Sequence, residues 1–267
     1  MLKALHRYNL EFFKDAISVI KKHDAWLYIA WVDIKLRYKR TALGPFWMVV
    51  VSFISIFCIA GLGSLLFSIK LAEYFPYVAC GMVTWSLISA LITESCMLYI
   101  NQQWLIKNIK TSLLNFCFRL FVKNLIIFAH ALVVVFCVLF CLGIDFKVTL
   151  LLLPLTVIIY MVNAVSIAVC LGFFATRFRD VPQVVQALIN ILAFMTPIMW
   201  KPRMLKEYAY LADLNPLTHY VAIFREPLLG VYPSSLTWSC VIVFTLINLF
   251  LTILVYGKYK KQLVFWL

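Results

Sequence analysis

The chain has 267 residues, 64% of them hydrophobic, with a formal net charge of +13 and a mean hydropathy of +0.96. Its basic residues mostly flank long apolar runs, which is the pattern of membrane orientation rather than of nucleic-acid binding. Eight cysteines lie in or beside apolar runs without a CxxC pair and four histidines are scattered, so neither a disulfide frame nor a metal site is expected.

Residues 1–45 are too charged to cross a membrane and contain no apolar run suited to a cleaved signal, so the N-terminus is expected to be retained. They read as two helices lying along the membrane surface. Phe13, Ile17 and Ile20 share one face at helical spacing, with Lys14, Lys21 and Lys22 off it. Asp24 is the expected cap of the second helix, which carries the short apolar run 25–32 and ends in the basic cluster Lys35, Arg37, Lys39 and Arg40. Pro45 suits the first turn of the helix that follows.

Residues 46–257 hold six apolar stretches, 46–69, 74–93, 124–144, 148–176, 181–200 and 236–256, each long enough for the ~20 residues a bilayer core requires. The fold class is therefore an all-α polytopic membrane protein with six transmembrane helices. Eighteen of the 24 Lys and Arg residues fall on one side of this arrangement and six on the other, which places both termini and the tail 258–267 in the cytoplasm. Between the second and third stretches, residues 101–115 repeat Leu105, Ile109 and Leu113 every fourth position beside Lys107 and Lys110. They predict one amphipathic helix, either an ordinary surface helix or a docking element for a partner.

The third and fourth stretches are joined by Asp145, Phe146 and Lys147 alone, which makes them antiparallel neighbours. Asp180 and Pro182 open the fifth. The external segment 201–233 is neither a tight loop nor a hydrophilic domain. Asn215 and Pro216 start a helix with Leu217, Tyr220, Val221 and Phe224 on one face, Pro227 and Gly230 end it, and with 204–211 it forms a re-entrant pair too short to span.

What is missing narrows the chemistry. Within the stretches Glu94 alone comes near to being an intramembrane acid, and it reads as a partner for nearby basic groups; His130 reads as a hydrogen-bonded packing residue. No nucleophile, base and orienter group together, so no catalytic residue is assigned. There is no GxxxxGK[ST] sequence, so nucleotide phosphates are not cradled by this chain in that way, and a pump would need a separate ATPase.

Three segments carry a family resemblance: DIKLRYKRTALGPFWMVV at 33–50, FRDVPQVVQALINILAFMTPIMW at 178–200 and LNPLTHYVAIFREPLLG at 214–230. In order and spacing they resemble the ABC-2 permeases that export O-antigen, capsule and teichoic acid, O-antigen permeases most of all, over essentially the whole chain. The resemblance implies a homodimeric half-transporter in the bacterial inner membrane, paired with two copies of a cytoplasmic ABC ATPase. It moves a polysaccharide linked to undecaprenyl diphosphate; this chain binds no cofactor, and ATP and Mg are used by the ATPase. On the same analogy Leu105, Lys107, Ile109 and Lys110 dock the ATPase and the short external helices line the exit. Aromatic rings can hold sugar C–H faces loosely enough to slide, which makes Tyr74, Tyr77, Trp85, Tyr160, Phe194, Trp200, Tyr220 and Phe224 candidates for a channel and exit; an interfacial aromatic belt is the competing reading. Arg37, Lys39 and Arg40 are candidates for a diphosphate headgroup, with membrane-lipid anchoring and ATPase contact as alternatives. An ABC-2 exporter of a small amphipathic drug and a membrane-embedded transferase acting on lipid-linked sugars remain open beside the polysaccharide reading.

Overall fold

A computed structural model describes residues 2–39, 44, 46–144 and 147–267, with side chains from residue 11 onward. Arg40, Pro45, Asp145 and Phe146 lie outside the described residues. Every regular element among those described is helical. Two helices open the chain, α1 (Leu2–Lys21) and α2 (His23–Tyr38), separated by the non-helical backbone of Lys22. Asp24 sits inside the first turn of α2 instead of capping it, where its charge still complements the positive end of the helix. One face of α1 buries Phe12 and Val19, while Phe13, Ile17 and Ile20 stay exposed.

Five helical segments are long and apolar enough to cross a membrane. They are α3 (Phe46–Leu66) and α4 (Leu71–Met97), then, beyond the short α5 (Gln103–Asn108), α6 (Leu113–Cys141), the segment Val148–Arg177 whose main part is α7 (Leu153–Arg177), and α11 (Ser235–Tyr259). The sixth expected stretch forms α8 (Val181–Met195), a 15-residue helix. At 1.5 Å per residue that is about 22 Å, short of the ~30 Å hydrocarbon core. Thr196 turns extended and Pro197 follows, so the helix cannot continue. Next come α9 (Tyr210–Asp213), α10 (Pro216–Leu228) and, after α11, α12 (Leu263–Trp266). Asn215 caps α10 by accepting a bond from the Leu217 amide, as its sequence position predicts.

Two further boundaries differ from expectation. The segment 101–115 is not one helix: α5 ends at Asn108, Ile109 is extended, and Ser112 caps α6 by accepting from the Leu114 amide. Leu113 is therefore the first residue of α6, and its four-residue spacing from Leu105 and Ile109 joins two separate elements. For the same reason the third long helix begins at Leu113 rather than at 124, and carries Arg119 and Lys123 within it.

α4 lies at the centre, packed on α3, α6, α7, α8 and α10. Its Ala79, Val83 and Leu87 join Val134, Val135 and Val138 of α6, Ala164 of α7 and Val221 and Ile223 of α10 in one buried cluster. Glycine permits two close approaches. A Cβ on Gly172 of α7 would sit 2.7 Å from the buried ring of Tyr99, and one on Gly63 of α3 would sit 2.5 Å from the Tyr74 hydroxyl. By contrast α3, α8 and α11 leave most of their apolar side chains exposed.

Candidate functional site

α4, α7 and α11 run in one direction and α3 and α6 in the other, so the bundle has two ends of different chemistry. At the first gather α1, α2, α5, the last turn of α4, the first turns of α6, and α12. Ion pairs tie these pieces together. Arg119 grips Asp33 of α2 bidentately, Nε to Oδ2 at 2.7 Å and Nη2 to Oδ1 at 2.6 Å. One turn further along the same face of α6, Lys123 pairs with Glu94 of α4 at 2.6 Å, and the Asn124 amide donates to the same carboxylate oxygen at 2.7 Å. These four charged groups border a cavity of about 390 Å³. Asp15 of α1 accepts from the Tyr256 hydroxyl at 2.6 Å and from Lys260, joining α1 to the end of α11.

Of the expected docking residues, Leu105 of α5 packs on the core beneath it. Lys107, Lys110 and Ile109 are exposed where α5 ends, Lys107 on this short helix and the other two on the non-helical link that follows. Arg37 and Lys39 end α2 about one turn past Asp33. His130 bonds the carbonyl of Ile126 one turn back at 2.7 Å, a local packing bond.

At the opposite end the chain leaving α8 is held by its carbonyl oxygens. The Tyr77 hydroxyl donates to Pro197 at 3.0 Å and Trp200 at 3.1 Å, the Tyr74 hydroxyl donates to Met199, and Arg225 Nη1 donates to Pro197 at 2.6 Å. The Arg225 guanidinium also lies 4.1 Å from the centre of the Tyr77 ring. Asn215, while capping α10, donates to Thr196 at 3.0 Å. Glu73 pairs with Lys201 and Arg203 beside this clasp. Burial pushes the neighbouring Glu226 carboxyl up, with the Arg225 charge acting in the opposite direction.

The eight candidate aromatics separate into three groups. Tyr74 and Tyr77 hold the chain after α8. Tyr160, Tyr220 and Phe224 lie inside the protomer: Phe224 stacks on Tyr160 at 6.0 Å and meets Phe128 edge-on at 5.0 Å. The Tyr160 hydroxyl donates to the Tyr220 carbonyl at 2.6 Å, and the Tyr220 hydroxyl to Asn163 at 2.9 Å. Trp85 is half-buried against the core and Trp200 half-buried with its indole bonded to the Phe194 carbonyl. Phe194 is 75% exposed.

Phe194 is not alone on its face. Gln183, Gln186, Asn190 and Phe194 recur at three- and four-residue spacing along α8, all exposed, with Gln186 donating to Asn190 at 3.3 Å. A row of amides ending in an open ring offers hydrogen bonds and a stacking surface together. Sequence reading passed over this row because it took 181–200 as one of six spanning stretches on its apolar composition. It also passed over the Arg119 and Lys123 pair, although two basic residues one turn apart, with an acid in each neighbouring segment, were a readable signal.

Comparison with known proteins brings these features together. A family model described as ABC-2 type transporter matches residues 24–229. The chain is also similar to two O-antigen export system permease proteins RfbA of Klebsiella pneumoniae. Each is 22% identical over 226 residues, a stretch covering 82% of this chain and 82% of the relative.

Proposed function

Since the chain belongs to the ABC-2 type transporter family, we propose that two copies of it, joined to two copies of a cytoplasmic ATPase, export a lipid-linked polysaccharide of the O-antigen class across the bacterial inner membrane. It is a multi-pass membrane protein and the transport subunit of its system, not an enzyme; ATP hydrolysis belongs to the ATPase partner.

One observation supports the finer reading, the open amide and aromatic face of α8. Amide groups facing lipid would leave most of their donors and acceptors unpaired, a cost of several kcal/mol each in hydrocarbon, roughly the desolvation penalty of an unpaired polar group. Gln183, Gln186 and Asn190 therefore face either water or a second copy of the chain, and a path enclosed between two copies supplies both. Amides and an open ring suit sugar hydroxyls and C–H faces, and they lack the titrating groups that gradient-driven transport would require. The relatives' role in O-antigen export points to the same substrate class. In this reading both termini face the cytoplasm, in keeping with the distribution of Lys and Arg.

Removing the protein from cells tests the proposal. Lipid-linked polysaccharide should then accumulate on the cytoplasmic side while surface polysaccharide disappears. Unchanged surface polysaccharide, with a small amphipathic compound retained instead, would transfer the assignment to drug export.

A further inference from the structure

Donors and acceptors are unequal in the cavity between α2, the end of α4 and the first turns of α6. Both oxygens of Asp33 are engaged by Arg119, and Glu94 Oε2 already accepts from Lys123 and Asn124. On the donor side, Lys123 gives one of its three protons to Glu94. Arg119 Nη1 has only a 3.4 Å contact with Gln102. Asn101 also lines the space. What remains is the spare donor capacity of two cations, with Glu94 Oε1 as the carboxylate oxygen beside them, around about 390 Å³, a volume in the range of small-ligand sites. Arg119 and Lys123 stand one helical turn apart, with Cβ atoms about 5–6 Å from each other, a separation that suits two linked phosphate groups better than one carboxylate.

We propose that this cavity is a diphosphate site in which Arg119 and Lys123 are the binding cations, and Asp33 and Glu94 are internal stand-ins that hold them in place until a diphosphate exchanges for the carboxylates. Arg grips phosphate through the same planar fork it now offers to Asp33, and phosphate brings more oxygen acceptors to the pair. Exchange is feasible because the site is not sealed. The side chains of Asp33 and Glu94 are 24% and 31% exposed, so each carboxylate meets water when released and is not stranded as a buried unpaired charge. The exchange also carries a signal. Asp33 belongs to α2, so a diphosphate that takes Arg119 loosens α2 from α6, and arrival of a headgroup is read as movement of that helix.

This inference rests on the export reading for its natural ligand, a polyprenyl diphosphate, though free diphosphate compounds share the chemistry. The test uses the full chain in nanodiscs, titrated separately with inorganic pyrophosphate and with a polyprenyl diphosphate added to the bilayer. Arg119→Gln and Lys123→Gln should each weaken binding at least about tenfold, the loss of one charge-assisted contact. Asp33→Asn should strengthen it severalfold, because the internal competitor is gone.

Asp33→Asn and Arg119→Gln break the same ion pair. A purely structural bridge predicts that they act in the same direction, and that result would overturn the proposal, as would a wild-type chain that binds neither probe. The swap Asp33→Arg with Arg119→Asp guards against misfolding, since it restores the bridge and should fold, yet it places the guanidinium on α2 and should bind weakly. Binding of the bilayer probe alone identifies a lipid headgroup as the ligand, and equal binding of pyrophosphate identifies a free diphosphate. Failure of the opposite-sign result would leave the export reading standing, because that reading is decided by where polysaccharide accumulates in cells.

Discussion

The two ends of the bundle are fastened by different chemistry. Around α1, α2 and α5 the joints are ion pairs between separate elements: Asp33 with Arg119, Glu94 with Lys123, and Asp15 with Lys260. At the other end, Tyr74, Tyr77 and Arg225 hold the backbone carbonyls of residues 197, 199 and 200, and the pairs of Glu73 with Lys201 and Arg203 lie outside that buried clasp. An ion pair near water can exchange one partner for another with modest loss, so the first end is built to be rearranged. A carbonyl held by hydroxyls and a buried guanidinium has no competing partner of the same kind, so the second end is built to stay. In the transporter proposed above that difference has a use: an end proposed to meet the ATPase must move, and the end where α8 breaks must keep its shape while the rest shifts.

The contrast can be broken by substitution, and the largest effect is expected in the buried layer that supports the second end. Phe224→Ala should destabilise the protein by about 3–5 kcal/mol, the usual cost of removing a buried ring. Phe224 lies 5.0 Å from Phe128 and 6.0 Å from Tyr160. The measurement is the melting temperature and folded yield in detergent. A variant as stable as the parent that lost export alone would return Phe224 to the exit. Next comes Tyr77→Phe, which removes one hydroxyl shared by two carbonyls while keeping the ring beneath Arg225. About 1 kcal/mol is expected, seen as a small thermal shift that does not change with salt. At the first end Lys260→Met should cost below about 1 kcal/mol, as half-exposed ion pairs usually do. Its effect should shrink as salt rises, whereas that of Tyr77→Phe should not; equal salt dependence would erase the distinction between the two ends.

Much of this was legible in the chain itself. Length and hydropathy gave the apolar helices, and the Asn215-Pro216 pair gave the start of α10, because capping and bilayer thickness are local rules that leave local marks. The failures arise where periodicity and composition are blind to helix ends and to packing. Repeats at four-residue spacing do not reveal where one helix stops and another begins, so Leu105, Ile109 and Leu113 looked like a single face although Ser112 caps a new helix between them. The stretch 181–200 had the composition of a spanning helix, and a run judged by composition hid the local stop at Thr196 and Pro197; the path of the chain beyond it is then set by α4 and α10. Burial of the aromatics was invisible for the same reason: Phe194 and Phe224 have the same composition, and only packing separates an open ring from an enclosed one.

The smallest effect on stability is expected on the exposed link after α5. Changing Lys107 and Lys110 to Glu together with Ile109 to Asn touches side chains that are exposed, so the melting temperature should hold while co-purification of the ATPase falls. Normal co-purification would remove this link from the docking surface.

The account depends most on the two ends facing opposite sides of the membrane. Single cysteines introduced at Lys107 and at Lys206 in a cysteine-free background, probed with a membrane-impermeant maleimide, test this directly. Lys206 should label in intact spheroplasts and Lys107 only after the inner membrane is permeabilised. Labelling of Lys107 in intact spheroplasts, with Lys206 protected, would contradict it.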